Sequence, residues 1–310
     1  MQISSYKLSI NNINTFIDYD TNENKTFLSD KYSLAKYGSM KDIKYFSSII
    51  AKSVIEEIDN IHSDFRIMLE IAKEKNDYIV LMTPGYRNVK SSANIMFNLA
   101  LPYINTKLTL LGLPIIANMK LPRLVSPSEN YASLTEKERI LVGFKTDHIL
   151  PDKTFYSKNN IHVVYGDDIL ITGSSSNKAR SDVLKKGAKS FISIYAIVMD
   201  SNIVKDNPSI EEQLNKSKVT GKLDNTAKEI FIQNDFVPVL RSLRLLLHKH
   251  NLVHLYDFLH IIPLHNIFKI YTSYLTNESL KNQNYIESLE IIKKFLIDKK
   301  QIQSNGNLIL

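Results

Sequence analysis

The sequence predicts an α/β fold with a parallel sheet flanked by helices, followed by an all-α C-terminal extension. Three observations lead to this fold class. Short, β-prone apolar runs alternate with segments of helical periodicity up to about residue 200, which is typical of a parallel sheet. Tight loops of small residues follow several of these runs. Beyond a polar stretch at residues 201–225, only amphipathic helical segments remain.

The composition fits a folded domain that carries an extension. The chain has 310 residues and a hydrophobic content of 44%, which is ample for a buried core. It has no cysteine, so disulfides, zinc–thiolate sites and thiol nucleophiles are excluded. This composition, with no signal-peptide pattern at its start, leads us to expect a cytoplasmic protein. The net charge of +7 suits an anionic ligand, but nucleic acid is not favoured because no dense basic run stands out.

The elements of the α/β part follow in order along the chain. The first thirty residues read as one or two strands with loops. The continuous apolar run Tyr78–Met82 predicts a buried parallel strand that ends in a tight loop. By the same criteria, strands are expected at 113–119, 161–165 and 191–199. Helices are expected at 39–61, 65–75, 93–103, 135–144 and 178–187.

The chain changes character after residue 200. The polar stretch at 201–225 predicts a linker, and helical periodicity then predicts helices at 236–247, 252–262, 267–275 and 285–297. We therefore expect an α/β domain over residues 1–221 and a helical domain over residues 222–310. The helical domain offers a surface for a homo-oligomer or another protein partner. No membrane span is expected, because polar residues and prolines interrupt the most apolar region, 95–119.

One segment concentrates the residues that carry chemistry. It begins with the apolar strand from His162 and continues with Asp167, Asp168, Thr172, Gly173, Ser174, Ser175 and Ser176. Backbone N–H groups of a small-residue loop at a helix start can surround a phosphate, aided by hydroxyl donors and the helix dipole. Two carboxylates at a strand end can accept hydrogen bonds from ribose hydroxyls or orient a Mg²⁺ ion. The segment lacks the glycine pattern of a P-loop or of a dinucleotide-binding turn, so it predicts a phosphate–sugar site.

At these residues the chain resembles the phosphoribosyltransferase family. The signature of that family is an apolar strand, two acidic residues, apolar residues, and then Thr-Gly with small hydroxyl residues. Residues 134–139, before Phe144, look like the mobile-loop region of the competence-associated (ComF-like) branch. The resemblance covers about residues 35–200. Three departures bear on catalysis more than on ligand binding: Gly166, Ile171, and a Pro-Gly-Tyr-Arg pyrophosphate loop.

The resemblance implies a Mg²⁺-dependent phosphoribosyltransferase of nucleotide metabolism. It would transfer the phosphoribosyl group of phosphoribosyl diphosphate to an unknown base, with release of pyrophosphate. Asp167 and Asp168 would be catalytic, holding the ribose hydroxyls and, through them or through water, the Mg²⁺ ion. The segment from Thr172 to Ser176 would bind the 5′-phosphate. The pyrophosphate would be bound by Gly85, Tyr86, Arg87, Lys120 and Arg123. Arg139 is a further candidate, although an arginine within a helix more often pairs along that helix.

Two other functions remain open at this point. The same pocket would serve a non-catalytic sensor, which binds a phosphoribosyl ligand and switches contacts of the helical domain with a partner, since fold does not fix function. The other is an effector that modifies nucleotides or a macromolecule with a ribosyl group. The acceptor base, the pathway and the oligomeric state do not follow from the sequence.

Overall fold

The computed structural model describes residues 1–12, 15–18, 23–25, 27–123, 151–207, 209–277 and 283–309. The chain divides into two compact units. The first comprises Met1–Leu28, Lys44–Tyr86 and Ala93–Gln213, and the second comprises Ser29–Ile43, Arg87–Ser92 and Leu214–Leu310. The domain boundary near residue 222 stays a prediction.

A sheet forms the centre of the first unit. Its strands are β1 (Gln2–Asn12), β2 (Thr15–Asp18), β3 (Glu23–Asn24), β4 (Tyr78–Met82), β5 (Ile116–Met119), β6 (Ile161–Leu170) and β7 (Ser190–Met199). Among the described residues they make one seven-stranded sheet in the order β3-β2-β1-β7-β6-β4-β5. Neighbouring strands pair in parallel through the part of the sheet with the order β1-β7-β6-β4-β5. Strands β2 and β3 extend the sheet beyond β1 and pair antiparallel. The predicted α/β class is therefore confirmed.

Helices precede, connect and follow these strands. The helices in the described parts of the chain are α1 (Phe27–Lys36), α2 (Met40–Asp59), α3 (Asp64–Lys75), α4 (Ser92–Leu110), α5 (Lys153–Lys158), α6 (Ser174–Lys185), α7 (Ser201–Asp206), α8 (Ile210–Asn215), α9 (Asn225–Phe231), α10 (Leu240–Leu247), α11 (Leu252–Leu259), α12 (Leu264–Leu275) and α13 (Ile286–Asp298). The predicted helices and strands recur here, except for the helix at 135–144, which lies outside the described residues. The segment predicted as a linker contains α7 and α8.

Strand β6 runs further than its apolar sequence predicts. It continues past residue 165 to Leu170, because Ile169 and Leu170 pair with Ile197 and Val198 of β7. Asp167 and Asp168 therefore lie within the strand rather than in the loop after it. On one face of the sheet, β6 packs with residues of α5, α6 and neighbouring strands in a buried cluster that includes Tyr156, Val163, Tyr165 and Val183.

Helix α4 covers the other face of β6. A Cβ added to Gly166 would lie 2.6 Å from the Cε1 and Cζ atoms of the Phe97 ring, so the glycine makes room for that ring. The helix also runs through Pro102 to Leu110 rather than ending near residue 103, because Ile104 and Leu108 continue its buried face. Within the described chain, no helix combines the length and the apolar character that crossing a membrane requires.

Helices α9 to α13 build most of the second unit. Their buried side chains form one apolar cluster that includes Phe231, Phe236, Leu259 and Tyr274. Asn266 lies fully buried within this unit. Its side-chain amide donates hydrogen bonds to the carbonyl oxygens of Phe231 and Gln233, at 2.9 and 2.8 Å. A helical region therefore follows the sheet, as the sequence predicts.

Candidate functional site

The C-terminal edge of the parallel strands holds most of the predicted site residues. Met82 of β4 is in register with Tyr165 of β6 and with Met119 of β5. The chain segments that follow these three positions therefore emerge side by side at one edge of the sheet. That edge is where open α/β sheets bind ligands.

The two acidic residues of β6 point to opposite faces of the sheet, because successive side chains of a strand alternate. Asp167 lies on the α6 face, beside Tyr195 of β7 in the strand register. Asp168 lies on the α4 face together with Gly166 and is only 3% exposed. The N–H of Asp168 donates a hydrogen bond of 2.9 Å to Oδ1 of Asp167. The pair is therefore one partly exposed carboxylate and one buried carboxylate, not two equivalent ligands.

Tyr195 is a site residue that the sequence analysis does not identify. Its phenol is buried, and burial raises its pKa above the usual value. Hydrogen bonds with the side chains of Ser176 and Ser193 oppose this rise, and the negative charge of Asp167 adds to it. The phenol therefore connects the acid pair to the start of α6. Only the register of β6 with β7 identifies this residue, since an isolated tyrosine in an apolar strand reads as core.

The turn between β6 and α6 is short and rich in hydroxyl groups. Gly173 is the residue before the first turn of α6 and adopts a left-handed conformation, with φ 71° and ψ 2°. Thr172 Oγ1 lies 3.1 Å from Ser174 Oγ and accepts a 3.4 Å hydrogen bond from the N–H of Ser174. The hydroxyl of Ser176 donates to the carbonyl of Gly173 at 3.1 Å, while Ser175 is exposed.

Gly173, at the N-cap position of α6, offers no side-chain cap, and the bond of 3.4 Å from the N–H of Ser174 to Thr172 Oγ1 is long. Residues at this position usually satisfy a first-turn N–H with a side-chain oxygen, but Gly173 has none and makes no such bond. The first four N–H groups of a helix have no partner within the helix, and they carry the positive end of the helix dipole. The turn can therefore receive an anion with backbone and hydroxyl donors together.

The loop after β4 is fixed in place by an asparagine. The Asn94 amide donates to Thr83 Oγ1 at 2.8 Å and to the Pro84 carbonyl at 2.9 Å, and both Asn94 and Thr83 are buried. The N–H of Tyr86 donates to the carbonyl of Leu121 at 3.2 Å. These bonds join the loop after β4 to α4 and to the segment after β5.

The predicted pyrophosphate ligands are only partly brought together. Lys120 is exposed and its Nζ lies 4.7 Å from the centre of the Tyr86 ring, so these two residues form one group next to Gly85. Arg123 follows in the same unit, whereas Arg87 is counted in the second unit. Arg139 lies outside the described residues. The binding roles given to these residues stay predictions.

Comparisons with known proteins yield a remote likeness. No family model matches the chain, and no curated protein matches it. A solved structure described as an analysis of an invariant aspartic acid in HPRTs, alanine mutant, is 12% identical over 53% of this chain and 80% of its own, with a TM-score of 0.30. Two structures of a mutant hypoxanthine phosphoribosyltransferase from Trypanosoma cruzi also align.

The first of these two structures holds the product IMP and is 12% identical, with 53% of this chain and 76% of its own covered and a TM-score of 0.28. The second is a ternary substrates complex and is 11% identical, with 53% and 80% covered and a TM-score of 0.29. Scores of this size do not establish a shared fold. What the site can do is therefore inferred from its own geometry.

Proposed function

We propose that the chain binds phosphoribosyl diphosphate at the β6–α6 turn and acts as a Mg²⁺-dependent phosphoribosyltransferase. One observation carries this proposal: the strand that bears Asp167 leads directly into a helix start whose N-cap residue, Gly173, has no side chain, with the hydroxyls of Thr172 and Ser174 beside it. A phosphate at that helix start and a sugar beside Asp167 would use both features at once. The position at the C-terminal edge of a parallel sheet supports the same function.

In this proposal the 5′-phosphate lies at the start of α6. It accepts hydrogen bonds from N–H groups of the first turn and from the hydroxyls of Thr172 and Ser174. Gly173 supports this arrangement, because its left-handed φ of 71° is a conformation that favours glycine. The ribose hydroxyls then donate to Asp167, which Tyr195 adjoins on the same face of the sheet.

The leaving pyrophosphate is assigned to the segments after β4 and β5. Lys120 directly follows β5, which is two strands away from β6 in the sheet. Because neighbouring strands lie about 4.8 Å apart, the backbone of Lys120 is about 10 Å from that of β6. A cation–π contact at an exposed site contributes only about 0.5–1 kcal/mol, so the Tyr86 ring competes weakly with a phosphate oxygen for Lys120.

The donor set fits a Mg²⁺ ion that is bound mostly by substrate. Mg²⁺ is commonly held by one or two carboxylates together with substrate phosphates and waters, and Asp167 supplies one partly exposed carboxylate at this edge. When bound, the ion would neutralise charge on the diphosphate. The protein itself would hold the ribose and the incoming base in line, and would stabilise the departing charge with fixed donors.

Calorimetric titration of phosphoribosyl diphosphate with Mg²⁺ tests the proposal. A hydrogen bond to a charged group contributes about 1.5–3 kcal/mol, so Asp167→Asn should weaken binding about 10- to 150-fold. Asp298→Asn, which removes the same charge from an exposed helix end, is the matched control and should leave binding unchanged. The proposal fails if folded wild type does not bind, or if Asp167→Asn binds as wild type does.

Asp168→Asn separates the two carboxylates. Because Asp168 is buried on the opposite face of β6, its substitution should lower thermal stability while changing affinity less than Asp167→Asn does. The reverse order of effects on affinity would show that the ribose lies on the α4 face. The acceptor base would then be sought by measuring pyrophosphate release with each nucleobase.

The second candidate is a sensor that binds the same ligand without chemistry. Two features of the site favour it: Ile171 is buried at a turn position that resembles a usually small or polar position of the family, and Asp168 is almost fully buried. Neither side chain offers an exposed acid or base at the turn. Tight binding without pyrophosphate release from any base, together with ligand-dependent binding of a partner, would support the sensor over the transferase.

A further inference from the structure

A second group of polar side chains lies at the opposite edge of the same sheet. His162 is the second residue of β6, six residues before Asp168, which places it about 20 Å away at about 3.3 Å for each strand residue. His162 is in register with Ser190 of β7 and with Ile79 of β4. Asp77 precedes β4 by one residue. An aspartate, a histidine and a serine therefore lie side by side near the starts of three adjacent parallel strands.

The three side chains form a continuous hydrogen-bonded chain. Ser190 Oγ lies 2.8 Å from His162 Nδ1, and His162 Nε2 lies 3.2 Å from Asp77 Oδ2. A carboxylate accepts hydrogen bonds but does not donate them, so the ring proton belongs on Nε2. Nδ1 then offers its lone pair to the hydroxyl proton of Ser190, which is the arrangement that activates a serine.

Asp77 and His162 are both buried, and their hydrogen bond to each other is the polar contact of the Asp77 carboxylate. Asp77 is 7% exposed and His162 is 5% exposed. Within the described structure, Oδ1 of Asp77 is buried and has no hydrogen-bond partner, so Oδ2 and its bond to His162 carry the polar interaction of this carboxylate. Leaving a buried acceptor unpaired costs free energy, and such groups in native structures call for an explanation such as catalysis. A carboxylate held in this way fixes the orientation of the His162 ring and the nitrogen that carries its proton.

The chain of side chains opens into a cavity. Asp77, His162 and Ser190 line a cavity of about 620 Å³, within the size range of small-molecule sites. Helix α3 contributes an apolar wall that includes Ile67 and Ile71, both exposed.

Lys75 and Lys189 are exposed residues that also line the cavity. Asp64 is a third exposed charged residue of the lining, so the cavity combines a hydroxyl, an aliphatic surface and an excess of positive over negative exposed charge.

We propose that Ser190 is the nucleophile of an ester-hydrolysing site that uses His162 as its base and Asp77 as the residue that orients it. Ser190 Oγ would bond to the acyl carbon while its proton passes to His162 Nδ1, and that proton would then leave with the alcohol. Water would attack the acyl-serine, with its proton accepted by His162 and returned to Ser190 as the acid departs. The cavity fits small carboxylic esters that have an aliphatic part and an anionic group.

A fluorophosphonate probe tests this assignment on the full chain. It should label Ser190 of the folded protein, as mapped by mass spectrometry of peptides, and p-nitrophenyl butyrate should be hydrolysed. Ser190→Ala should abolish both, whereas Ser157→Ala, which removes another serine hydroxyl of the same unit, should leave both unchanged. His162→Gln should slow labelling by about a hundredfold or more, the usual contribution of a general base.

Labelling of unfolded chain distinguishes a site from ordinary serine reactivity. In concentrated urea the reaction at Ser190 should fall to the level of the other serines. Equal labelling of folded and unfolded chain, or no labelling of folded chain, would show that the three residues only join the strand starts. Both readouts use no phosphoribosyl ligand, so their failure leaves the proposed function at the other edge untouched.

Discussion

Replacing Gly166 with alanine should destabilise the first unit through one identifiable contact. The added Cβ would lie 2.6 Å from Cε1 and Cζ and 2.7 Å from Cδ1 of the Phe97 ring. Carbon atoms in contact normally lie about 3.5–4.0 Å apart, so the ring or the strand has to move by about 1 Å. Phe97 is buried, and overpacking of this kind costs about 1–3 kcal/mol.

A double-mutant cycle with Phe97→Ala assigns that cost to the ring. Phe97→Ala alone should lower the free energy of unfolding by about 3–5 kcal/mol. In that background Gly166→Ala should cost less than about 0.5 kcal/mol, so the coupling energy should approach the full cost of the single Gly166 variant.

Urea denaturation supplies the free energies of unfolding. It is followed by far-UV circular dichroism, because the chain contains no tryptophan whose fluorescence could report unfolding. If two transitions occur, the effect belongs to the one that reports on the sheet. Equal costs of Gly166→Ala with and without the Phe97 ring would refute the packing argument, and the glycine would then need a different explanation.

Two further predictions concern the loop after β4 and the dependence of the free energy of unfolding on pH above about 10. Asn94→Ala removes two hydrogen bonds to Thr83 and Pro84 and should cost about 1–3 kcal/mol in urea unfolding; an unchanged midpoint would contradict the role given to Asn94. Burial and, less strongly, the charge of Asp182 raise the pKa of Tyr156, so its contribution is complete below about pH 10, the unfolded value, and is lost as the pH rises towards the folded value. Wild type should therefore lose stability above about pH 10 more steeply than Tyr156→Phe, and parallel curves would contradict this.

The strand–turn–helix of the candidate site could be predicted because its signals are local. An apolar run, two acidic residues, Thr-Gly and three serines occur in that order between residues 161 and 176. The end of β6 could not be predicted in the same way. Ile169 and Leu170 belong to the strand only because β7 offers Ile197 and Val198 as partners, and that pairing depends on residues far along the chain.

Contacts that depend on strand register could not be predicted from the sequence for the same reason. Tyr195 beside Asp167, and Ser190 beside His162, are juxtaposed by the pairing of β6 with β7, and neither pair has a local sequence pattern. Gly166 reads as a departure from the family signature, and its reason is a ring on α4. The predicted roles of the site residues await the binding experiments.

The place of β1 in the sheet has a consequence for how the chain folds. This strand comes first in the sequence, yet Gln2 pairs with Ser193 and Leu8 with Met199 on β7. During synthesis, β1 therefore cannot pair with β7 until almost the whole first unit has left the ribosome. Closing so distant a contact is slow, and until it closes, one edge of β7 stays open to pairing with another chain. Chaperones that bind extended apolar segments would protect this edge, so yield of folded protein should respond to conditions that slow translation or dilute nascent chains.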